Sequence, residues 1–194
     1  MNVSEIYNLA IKIGEASDFR PKKDIDAVLS RRKEKYEKLS SQEKEFFDHE
    51  SFTNPYSDTR ILYLGQDKPV KNVLAGIDID VEELLLTKHI GGVDLVISHH
   101  PEGRALADLS SVMELQVDVL NQYGVPIHIA ENLLVERASE VSRGISPINH
   151  NKTVDAARLL NVNFMCVHTP ADNLAAQFLD AAIKRKKPQY VSDL

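Results

Sequence analysis

The chain has 194 residues, 43% of them hydrophobic, which is enough for one α/β domain with a substantial core and argues against both a disordered chain and a miniprotein. A formal charge of −6 argues against a surface built to hold a phosphate backbone, so nucleic acid is not expected as a partner. Cys166 is the one cysteine, no apolar run approaches membrane-spanning length, and the start MNVSEIYNLAIKIGEAS lacks a signal pattern; the expectation is a cytoplasmic protein without internal disulfides or membrane contact.

From the N-terminus, Ile6, Leu9, Ala10 and Ile13 recur at helical spacing and predict an amphipathic helix over 3–16, weakened at its end by Gly14. Residues 24–49, DIDAVLSRRKEKYEKLSSQEKEFFDH, are dense in both charge signs. Val28, Leu29, Tyr36, Leu39, Phe46 and Phe47 are their large apolar anchors, so they read as solvated helices with a narrow buried face. A basic nucleic-acid arm is disfavoured because Glu34, Glu37, Glu43, Glu45 and Asp48 are interleaved with the bases. Residues 1–55 are therefore expected to form an N-terminal helical segment, and 56–194 an α/β metal-binding domain.

Beyond NPYSD, short apolar runs alternate with amphipathic ones, the pattern of a mostly parallel sheet covered by helices. Strands are expected at 60–64, 73–77, 94–98, 127–130 and 163–167. Asp80 and Glu83 form a capping-box pattern before Leu84, Leu85 and Leu86, with Gly91-Gly92 as the stop. Helices are expected around Leu109, Val112, Met113 and Leu120 up to Gly124, over 131–143, over 152–160, and from Pro170 through Leu174, Phe178 and Leu179.

Three stretches at strand ends carry groups with chemistry. In DLVISHHPEG, His99 and His100 follow a buried strand, where open α/β sheets bind ligands. Adjacent residues on a strand point to opposite faces, so the two histidines converge only if the chain bends, which Pro101 favours. They read either as metal ligands or as one cap and one packed ring. In VHTPADN, Thr169 reads as an N-cap with Pro170 at the first helical position. Asp172 is then either a capping-box acid or, with His168, part of the ligand crevice. In GIDID, Asp78 and Asp80 could share a cation, although Asp80 is better explained as an N-cap. Cys166 shares a strand face with His168 but reads as simply buried, while His128 and Glu131 stand either near the same edge or in the core. Gly-rich phosphate loops and a nucleophile elbow are missing from the sequence.

Taken together and in this order, GIDID, DLVISHHPEGRAL and VHTPADN resemble the NGG-interacting factor three-like family, whose members are also described as type 2 GTP cyclohydrolase I homologues. The resemblance spans the strand near Arg60 to the helix after Asp172. It implies an α/β fold with related lobes, a ring-like homohexamer, and a pair of metal ions bound by His99, His100 and Asp172. His168 matches the motif's histidine, and the resemblance implies a place beside the metals as a catalytic residue. The family completes its centre with an H-x-x-x-E pair near the C-terminus, which does not follow Asp172 here, so the chain reads as a truncated or shortened member. The helices between HHP and HTPAD form an insertion relative to the shortest members.

The expected function is a metal-dependent, hydrolase-like protein that holds one or two divalent ions (zinc, iron, manganese or nickel) to activate water against a small, nucleotide-like substrate. Two alternatives stand beside it. One is a non-catalytic metal-binding adaptor or regulatory protein. The other is an Asp-His-His phosphoesterase using Asp78 and Asp80, against which Ser98 counts, because it occupies the position before the histidines.

Overall fold

The computed structural model describes residues 1–193. Four strands, β1 (Arg60–Tyr63), β2 (Val73–Gly76), β3 (Leu95–Ser98) and β4 (Phe164–Cys166), form one sheet in the order β1-β4-β3-β2. β2, β3 and β4 run parallel, and β1 closes the edge antiparallel to β4. The helices in chain order are α1 (Val3–Ser17), α2 (Lys22–Glu37), α3 (Ser41–Glu45), α4 (Val81–Ile90), α5 (Gly103–Ala107), α6 (Glu114–Gln122), α7 (Ile127–Ile145), α8 (Lys152–Leu160) and α9 (Thr169–Lys186). This is the expected mostly parallel sheet with helices around it.

The central strands are short and apolar without alternation because both of their faces are covered. On one face Val96 and Phe164 pack with Ile79, Leu84, Ala157 and Val162 beneath α4 and α8. On the other, Leu95 and Met165 pack with Val3, supported by Ile6, Tyr7 and Ile97, beneath α1. Asp80 caps α4 as the sequence implies: its side chain accepts from the Val81 amide at 2.6 Å, and the Asp80 amide donates to Glu83 at 2.7 Å. Gly91 and Gly92 end that helix at φ values of 72° and 70°.

Several local expectations are corrected. Residues 127–130 are the first turn of α7 and not a strand. The alternation in IHIA imitates a strand, but Pro126 stands at the N-cap and the apolar spacing continues through Leu134, Ala138, Val141 and Ile145 onto α6. The helix is accordingly longer than 131–143. The segment around Leu109 begins as a 3-10 turn and becomes α-helical only at Glu114. On α1 the buried face is Val3, Ile11 and Gly14, with Leu9 and Ile13 turned outward. α1 continues past Gly14 to Ser17. A β-carbon at Gly14 would lie 2.8 Å from Tyr56 and 2.9 Å from Pro170, so its bareness lets α1 cross the start of α9. Phe46 is exposed and anchors nothing; Ile25 is the buried residue of α2, and Tyr36 instead gathers Phe47, His49 and Phe52 around its ring.

Candidate metal centre

The register of the sheet places Gly76, Ser98, Cys166 and Arg60 in one row across the four strands. β2, β3 and β4 end at this row and β1 begins at it. Two residues further out on each strand stand Asp78, His100, His168 and Asp58, with His99 between Ser98 and His100. The site is thus a single edge of the sheet, at the carboxyl ends of its parallel strands. Backbone bonds carry the ladder past the row: the His99 amide donates to the Gly76 carbonyl, the His100 amide to that of Ile77, and the Val167 amide to that of Ser98, each at 2.9 Å.

The chain bends at the histidine pair, so both rings turn to the same side. A ring nitrogen from each of His99, His100 and His168 lies within 4.8 Å of the others. The His99 and His168 rings stack at 4.6 Å and 16°, and those of His99 and His100 approach to 5.2 Å. Each Nδ1 has an acceptor. His99 Nδ1 donates to the Val167 carbonyl at 3.3 Å, His100 Nδ1 to Asp78 Oδ1 at 2.6 Å, and His168 Nδ1 to Asp58 Oδ2 at 3.1 Å. Carbonyl and carboxylate oxygens can only accept, so Nδ1 carries a hydrogen in all three rings, and in the neutral form of each ring the lone pair is on Nε2. An imidazole held this way offers its other nitrogen, the arrangement by which protein histidines are aimed at metals.

Asp172, in the first turn of α9, lies beside this cluster. Its Oδ1 is 3.4 Å from His99 Nε2, and its Oδ2 is 3.5 Å from His168 Nδ1. It is free to do so because the expected cap is absent. His168 is the N-cap, Thr169 begins the helix and Pro170 follows it, while the Thr169 hydroxyl donates to Asp58 at 2.6 Å and does not cap the helix. With Thr169 engaged elsewhere, Asp172 is released from the capping box and turns toward the histidines.

The electrostatics follow from these contacts. The hydrogen bond to the Asp58 carboxylate raises the His168 pKa above the usual histidine range, and partial burial opposes this only in part. Stacked, crowded imidazoles repel one another when protonated, whereas as neutral rings with free Nε2 atoms they suit zinc, iron, manganese or nickel. The donor set therefore fits a divalent ion.

Other expected candidates are dispersed. Asp80 is occupied by its cap, by Lys152 at 2.6 Å and by Thr153 at 3.1 Å, so it does not share a cation with Asp78. Cys166 is buried, its thiol donating to the Asp58 carbonyl at 3.3 Å, and burial pushes its pKa up to about 12, which makes it a poor thiolate ligand. His128 and Glu131 lie on α7, away from the strand ends. Asp58 is the participant that sequence reasoning missed: it stands 110 residues from His168, in a turn-rich stretch with no metal-ligand spacing. Two concavities, of about 1060 Å³ between α2 and α6–α7 and of about 330 Å³ at the opposite end of the sheet near Asp94 and Asn163, do not contain the histidines.

No family model matches the chain, and no curated protein matches it. Among solved structures, one from Sphaerobacter thermophilus aligns at 29% identity with a TM-score of 0.62, covering 67% of this chain. The chain is similar to a NIF3 superfamily protein. It spans 46% of the length of that NIF3 structure, and the likeness supports a NIF3-like relationship for the sheet and its site. Among the described residues, no helix is long and apolar enough to cross a membrane.

Proposed function

We propose that this chain is a NIF3-like divalent-metal-binding protein with a hydrolase-like site, in which His99, His100 and His168 present Nε2 donors and Asp172 supplies a carboxylate. One observation carries this reading: a ring nitrogen from each of the three histidines lies within 4.8 Å of the others, and each Nδ1 has an acceptor, which in the neutral ring leaves the lone pair on Nε2. A bound divalent ion would supply Lewis acidity and a water acidic enough to be a nucleophile near neutral pH. The residues of the chain orient the donors, and Asp172 stands where it could accept a proton or complete the ligand set. His168 serves in this reading as a ligand, and its expected catalytic part reduces to the basicity that Asp58 gives its ring. A small, nucleotide-like substrate and homo-oligomeric, ring-like assembly in the cytoplasm complete the proposal. Exposed Leu174, Phe178 and Leu179 on α9 support assembly. Residues 1–55 would be the helical segment, and 56–194 the metal-binding unit.

The test is elemental analysis of the purified chain, as expressed and after reloading, against the His99→Ala/His100→Ala double variant. One or two equivalents in the wild type and none in a folded variant are expected. Equal metal content in both would refute the site. A second reading, a non-catalytic metal-binding adaptor, is favoured by the openness of the ledge, since His100 is 50% exposed and the concavities lie elsewhere. Tight metal binding without turnover of nucleotides or phosphoesters would select it.

A further inference from the structure

We infer that Asp58 is the positioning residue of this centre: one buried carboxylate holds His168 in its Nδ1–H tautomer and, through Thr169, fixes the start of the helix that carries Asp172. This rests on the proposed metal site for its consequence, though not for its geometry. The Asp58 side chain is fully buried, and among the described residues its only ionic partner is His168. A buried carboxylate with neither arginine nor lysine beside it is costly unless hydrogen bonds compensate it. Asp58 has them. Oδ2 accepts from His168 Nδ1 at 3.1 Å and from Thr169 Oγ1 at 2.6 Å, and Oδ1 accepts from Thr59 Oγ1 at 3.3 Å.

The surrounding bonds close around this arrangement. The His168 amide donates to Thr59 Oγ1 at 3.1 Å, so Asp58 and Thr59 hold both the ring and the backbone of His168. The turn that delivers them is tied in advance: Asn54 Nδ2 donates to the Thr59 carbonyl, and Asn54 Oδ1 accepts from the Tyr56 amide, both at 2.8 Å. Asp58 therefore acts through His168 and Thr169, in a position from which it touches neither substrate nor ion. His100 has an analogous partner in Asp78, but that carboxylate is 83% exposed, where water competes for it. Burial makes Asp58 the stricter of the two constraints.

The experiment compares wild type with Asp58→Ala, Asp58→Asn and Thr169→Val, each checked for folding by circular dichroism and thermal melting. In metal-free protein labelled with ¹⁵N-histidine, long-range ¹H–¹⁵N spectra report which ring nitrogen of His168 is protonated. Zinc affinity is measured separately by competition with a chromophoric chelator. Wild type is expected to show neutral His168 as the Nδ1–H tautomer, Asp58→Ala a mixture of tautomers with zinc affinity lower by about 10–100-fold. Asp58→Asn keeps an acceptor oxygen and should retain the tautomer with a smaller loss. Thr169→Val should leave the tautomer intact and weaken zinc binding modestly through Asp172. An Nε2–H tautomer in wild type, or an unchanged tautomer in Asp58→Ala, would overturn the inference. If Asp58→Ala fails to fold, a wild-type tautomer and affinity in Asp58→Asn together with unaltered zinc binding in Thr169→Val would do so. Absence of zinc binding by wild type would sink the metal reading, while the tautomers would still decide the role of Asp58.

Discussion

Gly103→Ala strikes the chain three residues beyond His100, where it leaves the site and enters α5. Gly103 has φ of +58°, and its amide donates to the His150 carbonyl at 2.8 Å, so the backbone cannot swing away without losing that bond. An alanine β-carbon in this left-handed conformation costs roughly 1–2 kcal/mol. It would also lie 2.7 Å from Val154 Cγ2, a contact that must be relieved by moving α8 or α5 at about 1–3 kcal/mol. The expected loss is therefore about 2–5 kcal/mol, read from urea midpoints at constant slope. Because Val154 supplies the clashing atom, Val154→Ala should rescue the steric part and leave the backbone part. The double-variant cycle should show a favourable coupling of at least about 1 kcal/mol. A loss below about 1 kcal/mol, or strict additivity with Val154→Ala, would refute this account of how α5 is seated behind the histidine loop.

Three further outcomes are expected. The Cys166 thiol, with a pKa pushed up to about 12 by burial, stays protonated in the folded chain at pH 8. Its contribution to stability is complete below the unfolded thiol pKa of about 8.5 and is lost as pH rises toward 12, so Ellman's reagent at pH 8 should react only at the unfolding rate; rapid labelling of native protein would contradict this. Asp78→Ala removes the acceptor of His100 Nδ1 and should lower zinc affinity about tenfold, and affinity within twofold of wild type would show that the exposed pair contributes nothing. Asp80→Ala removes the α4 cap at about 1 kcal/mol. The hydrogen bond from Lys152 lowers the Asp80 pKa, so this stabilisation is present above the unfolded value near 3.9 and is lost as pH falls through the folded pKa. The stability gap between wild type and Asp80→Ala should therefore close between pH 6 and pH 2; a gap that does not vary with pH would count against it.

Elements whose causes lie within about four residues were legible in the sequence. The Asp80–Glu83 box, the Gly91-Gly92 stop, α8 and the apolar runs of β2, β3 and β4 depend on local caps, backbone freedom and periodicity, and they stand where those predict. Burial direction was less legible: Leu9 and Ile13 fit a helical stripe as well as Val3 and Ile11 do, and only the sheet beneath α1 selects between them. The IHIA alternation misled because a two-residue period over four residues cannot be distinguished from the first turn of a helix whose remaining apolar positions come later.

The strand ends and their histidines were thus determined by the sequence itself, since a short buried run followed by His-His-Pro or His-Thr-Pro states where a sheet stops and a polar group begins. What only the tertiary structure decided was convergence. The antiparallel return of β1 brings Asp58 to the edge where β4 delivers His168, and the hydroxyl of Thr169 is thereby drawn away from the cap that would have held Asp172. Register between strands far apart in sequence is set by packing on both faces of the sheet, and no local pattern encodes it.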